Sequence, residues 1–393
     1  MIWSVEWDGG FVVGGDGNCR LTPSFRLKEF QNAAGTVRVH RELVSALQML
    51  RERYGKSLAI RSTDADGLGA RIAADSVTDL LRAADGVRAH HLFKDVVQEG
   101  DVIHVTIPDP AHLPDIALAQ ALESAFSVTS SFETSGDRFQ QVSGNFDGAG
   151  LSFGPAQWNF KSGTLVPLFR AFEHGDAEPL RACFRDPIDY EEWQRVLGRP
   201  VAEQIGWADS ISTGRGKQEV AEPWRGYLQA VGRVRGFRAI MVEEALRAYG
   251  ARLLAAVKYL QGLTPEIEID HLRCFCSLYD LVIQQGGLDK VHQEIEARVL
   301  KARPGNQFDL VRIAVEERGR AADPQWRADC VSRRVGILNG VPETVDGHQR
   351  ANLSFFLLRD VRIHGVRELT TADIIPQLAQ VAEALASGDT LLA

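Results

Sequence analysis

The 393-residue chain reads as α+β: a small mixed N-terminal domain, then a longer, predominantly α-helical one interrupted by a short glycine-rich β-turn region. Three features lead to this reading. Up to residue 107, short runs of β-branched and aromatic residues alternate with two helical patterns and are stopped by glycines. Pro108-Asp109-Pro110 and Leu113-Pro114 then punctuate the chain. From Asp115 onward apolar residues recur at helical spacing, except across 144–163, where glycine is too frequent for a long helix. The boundary is therefore drawn between a domain at 1–112 and one at 113–393.

In the first domain, WSVEW and FVVGG flank Asp8-Gly9-Gly10 and predict a hairpin within residues 1–20. Val39, Leu43, Leu47 and Leu50 share one helical face, which predicts a helix over 37–54 stopped by Gly55. A strand is expected over 57–61, an Asp- and Gly-rich loop over 63–69, a helix over 70–84, and strands over 89–93 and 102–107. In the second domain a helix over 115–129 leads toward Glu133. Beyond the glycine-rich stretch, helices are expected at 164–173, 177–185, 190–197, 200–211, 222–231 and 237–262. Further ones are expected at 270–284, 288–302, 307–320, 325–338 and 371–387. Asp189, Thr264, Asp323 and Thr371 precede helical patterns and are candidate N-caps.

The 52 acidic residues outnumber the 44 basic ones, for a net charge of −8, which argues against a nucleic-acid partner. The five cysteines are few and scattered, as expected of reduced structural thiols. Cys274-Phe275-Cys276 has no second pair at zinc spacing and reads as core. The N-terminus lacks a basic segment followed by an apolar one, and no long uncharged apolar run exists. The expectation is a protein made in the cytoplasm without a signal peptide or membrane partner. It would reach a cell wall or periplasm by release or injection, with an immunity or delivery partner as a further possibility.

The chemistry concentrates in residues 132–159, FETSGDRFQQVSGNFDGAGLSFGPAQWN. Glu133 stands at an expected helix end beside apolar neighbours, which raise a carboxyl pKa by desolvation. Asp147 follows fourteen residues on, in the loop Asp147-Gly148-Ala149-Gly150-Leu151-Ser152. Two carboxyl groups across a groove are what glycosidic bond cleavage needs, one protonated and one ionised. Gly150 and its small neighbours let backbone approach a sugar. Ser152, Gln157 and Asn159 offer neutral hydrogen-bonding groups, and Trp158 an aromatic face. Asp137 competes with Asp147 for the role of base. Acid/base chemistry of this kind calls for no cofactor and no metal.

Helix-end Glu followed by D-G-x-G-x-S-x-G-x-x-Q-W resembles the chitosanase branch of the lysozyme-like glycosidases. The resemblance implies a lysozyme/chitosanase-like hydrolase domain at 113–393, with Glu133 as general acid, Asp147 as base and Ser152 positioning the attacking water. CSLYDLVIQQGGL (276–288) and RRVGILNGVPETVDG (333–347) resemble that family's central helix and later Arg-bearing helix, with Asp280, Arg333 and Arg334 as an ion network behind the acid. The G-L-S-F-G-P-A-Q-W-N form is similar to lytic domains fused to wall-targeting modules. That favours peptidoglycan over chitosan as the amino-sugar polymer, the enzyme acting as a phage lysin or a delivered antibacterial effector. A chitosanase and an inactive glycan-binding protein are the alternatives.

Within 20–108, PSF-x-L-x-EF, LVSALQMLRERYGKSLAIRS and GDVIHVTI resemble zinc D-Ala-D-Ala carboxypeptidase-type peptidases. The resemblance places His104 at the late ligand position, but Asp64 stands where a His ligand is needed and Arg71 where an Asp is. One imidazole does not hold catalytic zinc, which needs three protein ligands. The expectation for 1–112 is a degenerate, non-catalytic domain for wall binding or scaffolding. Asp64, Asp66, His90, His91 and His104 are residues from which a metal site could be rebuilt there.

Overall fold

A computed structural model describes residues 5–8, 10–32, 34–89, 92–112, 115–133, 138–175, 177–340, 342–350 and 358–387. The fold is mixed α+β, 56% helical with small sheets, and its C-terminal region is helical. The chain divides into two compact units: Met1–Ala121 with Ala255–Glu368, and Leu122–Leu254 with Leu369–Leu391. The division falls inside two helices, Leu118–Glu133 and Arg235–Leu263. It differs from the split at 112/113 because the helices after residue 255 group with the N-terminal segment.

In the first unit, strands Ala59–Thr63, Gly69–Ala73, Val102–Thr106 and Asp95–Glu99 form, in that order, an antiparallel four-stranded sheet. Alternation decides its faces: Ile103 and Val105 are buried, while His104 points to the other side. Helices Arg41–Tyr54 and Val77–Ala89 supply Leu43, Leu47, Leu50, Leu80 and Val87 to the same core. Two sequence expectations need correction here. The residues at 70–73 are strand rather than helix, because Ala-Arg-Ile-Ala pairs along its length with Val102–Thr106. The strand expected over 89–93 lies instead at Asp95–Glu99, paired with Val102–Thr106 as a hairpin. Val5–Asp8, Phe11–Gly15 and Val39–His40 make a separate three-stranded sheet.

The remainder of this unit is helical: Leu272–Gln285 packs on Arg327–Asn339 and on Gln307–Arg320, which also carries His292–Ala302. Cys274 and Cys276 are buried in it, and burial pushes the Cys276 thiol far up, as suits core residues. Asp280 lies at its centre with no exposed surface. Arg333 binds Asp280 through two nitrogens, Nε at 2.8 Å, and Arg334 Nε donates to the other oxygen at 3.1 Å. Gln285 and Gln284 take the remaining Arg334 donors.

In the second unit, Val142–Ser143, Ser152–Phe153 and Trp158–Asn159 form a small antiparallel sheet with Ser152–Phe153 in the middle. Its core is aromatic: Phe169 lies 4.8 Å from Trp193 and 4.9 Å from Phe237 between ring centres, and Phe153 packs on both phenylalanines. Helices Leu165–Gly175, Pro187–Leu197, Val201–Ile211 and Trp224–Val231 surround it. Asp186, not Asp189, caps Pro187–Leu197 by accepting from the Ile188 N–H, with proline in the first turn. Thr264 caps nothing at a helix start, since its hydroxyl donates back to the Leu260 carbonyl.

Asp280 answers two buried guanidinium groups, so removing it strands two charges in the core. Asp280→Ala is expected to cost about 3–5 kcal/mol of unfolding free energy, read from urea denaturation, far more than the loss of an exposed pair such as Asp79 with Arg82.

Candidate functional site

The residues singled out around Asp147 fall in the second unit and most can be placed. Glu133 closes helix Leu118–Glu133; its side chain, like Asp137, lies outside the described residues. Asp147 is exposed on the loop joining Val142–Ser143 to Ser152–Phe153. One of its carboxylate oxygens accepts from the Ala149 N–H at 3.0 Å, closing an Asx turn. Gly148 and Gly150 adopt φ of 75° and 84°, a region that disfavours any side chain. A β-carbon on Gly150 would also press on the Phe160 ring at 3.1 Å.

The loop is pinned by Asn145, which the sequence reading passed over. Its N–H donates to Ser212 Oγ, its amide nitrogen to Asp209 Oδ1, and its amide oxygen accepts from Gly150 N–H, each at 2.8 Å. Lys217 and Asn145 together hold the Asp209 carboxyl below its usual range. Gly144 beside it has no room for a side chain, since a β-carbon would lie 2.5 Å from the Lys217 carbonyl. Asp147 thus projects from a loop fixed at its base.

Other expectations change. Trp158 is 6% exposed, its ring packed against Gly154, so it offers no stacking face; strand alternation turns it inward. The exposed aromatic of this stretch is Phe146, at 49%. Ser152 is buried in the central strand. Gln157 donates to the Gly154 carbonyl at 3.3 Å, and the Asn159 side chain serves its own turn through Gln157 and Ser162. Glu123 on helix Leu118–Glu133 was not foreseen: burial raises its carboxyl, with Arg138 opposing. Asp280, Arg333 and Arg334 do form an ion network, but it belongs to the first unit and Glu133 to the second, so the pairing is observed and a place behind the acid is not.

The residues weighed above as metal ligands in the first 112 residues also come together in part. His104 Nε2 meets Asp64 Oδ2 at 2.8 Å, and Arg71 bridges Asp64 at 3.3 Å and Glu99 at 2.8 Å. A guanidinium therefore already supplies the positive charge between these carboxylates. Gly69 makes room for the pair, because a β-carbon there would lie 2.1 Å from Asp64 Oδ2. Asp66 spends an oxygen on the Leu68 N–H, and His90 and His91 lie outside the described residues.

A cleft of about 720 Å³ opens in the first unit, over the starts of three helices. Their N-caps are His40, His271 and Asn306, and all three line it. Asp360 lies at its floor, 8% exposed, with Arg41 Nε at 2.8 Å and Arg273 Nε at 2.7 Å. Backbone bonds from Leu272 to Val361, Ile363 to Asp270 and His364 to Ile116 lace the segment that carries it. The two guanidinium groups hold the Asp360 carboxyl well below the usual carboxylate range, overriding its burial. Sequence offers little warning of this cluster, whose parts are spread from His40 to Asp360.

The chain was compared with models of protein families, with characterised proteins and with solved structures, and none of the three gave a match.

Burial lowers His40 and His271 to about 4; Arg41 and Arg273 add to this, Arg362 also for His271, while Asp360 opposes it in both and Asp109 in His40. Their folded pKa lies below the unfolded value of about 6.5, so unfolding takes up protons as pH falls. Stability is expected to be full above pH 6.5 and to drop by up to about 3 kcal/mol per histidine toward pH 4. Urea denaturation at stepped pH measures it. The double variant His40→Asn, His271→Asn keeps an N-cap acceptor and is expected to flatten that slope.

Proposed function

We propose that the chain is a glycoside hydrolase acting on bacterial cell-wall glycan, with a lysozyme/chitosanase-like domain in which Glu133 is the general acid and Asp147 the base. The observation that carries the reading is the Asp147 loop: an exposed carboxylate on a glycine-built turn, fixed at its base by Asn145 and preceded in the chain by a helix ending at Glu133.

In the proposed reaction Glu133 gives its proton to the glycosidic oxygen as that bond to the anomeric carbon breaks. Asp147 takes a proton from a water molecule, whose oxygen bonds to the same carbon. Both carboxyl groups then exchange protons with solvent. Phe146 replaces Trp158 as the aromatic face near the sugar, and Ser152, buried in the central strand, is left without a part in the reaction. Export from the cell of synthesis, as a lysin or as an effector with a delivery or immunity partner, completes the reading.

The test is the clearing of purified sacculi. Glu133→Gln and Asp147→Asn are each expected to slow it by about 100-fold or more with thermal melts unchanged. Equal clearing by wild type and Glu133→Gln would sink the acid assignment. Reducing ends released from chitosan but not from sacculi would turn the reading to a chitosanase. Binding to sacculi without clearing would leave an inactive glycan-binding protein.

A further inference from the structure

We propose that the cleft of the first unit is a carbohydrate-binding site, separate from hydrolysis, that takes a hydroxyl group of a sugar between two histidines and a buried carboxylate. No residue of the Asp147 loop enters the argument. Its volume, about 720 Å³, suits a ligand of roughly disaccharide size.

The proton positions on both rings follow from the backbone. His40 Nδ1 accepts from the Glu42 N–H and His271 Nδ1 from the Arg273 N–H, each at 3.2 Å. A main-chain N–H only donates, so each neutral ring carries its proton on Nε2. Those two N–H groups face the two oxygens of one carboxylate, His40 at 3.6 Å from Asp360 Oδ2 and His271 at 3.8 Å from Oδ1. Both separations exceed the N–H···O hydrogen-bond range of about 2.7–3.2 Å. His40 is 95% covered, so this donor is buried yet short of a bond.

The chemistry of that gap selects its occupant. An oxygen about 2.8 Å from both atoms closes the triangle, provided it accepts from the imidazole and donates to the carboxylate. A hydroxyl does both, as water does, so a sugar hydroxyl can stand where water would. An anion is drawn by Arg41, Arg273 and the helix N-termini but has no proton to donate to Asp360, and an ammonium has no lone pair for the N–H. The walls agree: Phe11 stands edge-on to His40 and Phe308 edge-on to His271, at 4.9 and 4.7 Å between centres, apolar surfaces suited to the C–H faces of a sugar. At the mouth, Asp309 is exposed and offers acceptors for further hydroxyls. Catalysis is a poor fit for the same reason that binding is a good one. Neither histidine has a spare lone pair, so neither serves as base or metal ligand without giving up its helix cap.

The experiment is calorimetric titration of the full chain carrying Glu133→Gln, so that sugar is not consumed, with tetramers of N-acetylglucosamine, of glucosamine and of glucose as probes. One of these is expected to bind, and Phe308→Ala or Asp309→Ala is expected to raise the Kd of one site at least ten-fold with the melting curve unchanged. Asp309 is exposed, so its variant serves should Phe308→Ala fail to fold. Binding that both variants leave untouched overturns the proposal while leaving the hydrolase reading standing. No binding of any probe overturns it as well. Loss of the only site in these variants supports the cleft and counts against a glycan groove at Asp147.

Discussion

The first unit depends on one buried carboxylate. Asp360 sits where helices Arg41–Tyr54 and Leu272–Gln285 begin, between their partial positive charges and the guanidinium groups of Arg41 and Arg273. Taken one at a time these groups are costly to bury; Asp360 offsets part of the positive charge gathered around it. Arg41 turns its other donors to the Leu338 and Asn339 carbonyls at the end of helix Arg327–Asn339, where the partial charge is negative. Gly340 ends that helix at φ 69°, where a β-carbon would lie 2.8 Å from Arg273. Three helix termini and one short segment are thereby tied at a single point, and that point joins the N-terminal segment to the helices after residue 255.

The same device recurs deeper in the helical part. Asp280 answers Arg333 and Arg334 in the core, and nearer the surface Glu316 with Glu317 answers the partly exposed Arg298 and the exposed Arg320. Buried pairs of this kind add little net stability over well-packed apolar side chains, but they tolerate few wrong arrangements, because any misregister leaves a charge unpaired. The helices here carry arginines at buried positions on adjacent residues, Arg333 and Arg334, a pattern in which apolar packing alone sets the register poorly. Ion pairing directed at one aspartate is a sharper constraint.

This explains which parts of the fold the sequence makes legible. Gln307–Arg320 and Thr371–Ser387 have the bounds that periodicity predicts, the first with an Asn cap. Local rules suffice there. They fail at 70–73, where Ala-Arg-Ile-Ala suits helix and strand equally and pairing with residues thirty positions away decides. They fail for His40 and His271, since histidine is not among the usual N-caps and takes the role because a distant carboxylate and a cleft hold its ring. They fail again for Trp158, whose inward face depends on which neighbour its strand pairs with. In the candidate site, Asp147 and its glycines are readable from spacing, whereas Asn145 is not, because its partners Asp209 and Ser212 lie more than sixty residues on.

The contrast between the two sites is one of spare valence. Around Asp360, each histidine nitrogen that faces the backbone is committed, so what the cleft has left to offer is recognition. At Asp147 a single oxygen is spent on the Ala149 N–H, and the exposed carboxylate keeps further acceptor capacity toward solvent. Asn145 carries the hydrogen bonds that tie the loop to Asp209 and Ser212, which leaves Asp147 only its turn bond to Ala149. The base proposed at Asp147 would have to be positioned by its surroundings without being neutralised by them, and anchoring through a neutral amide two residues earlier is compatible with both demands.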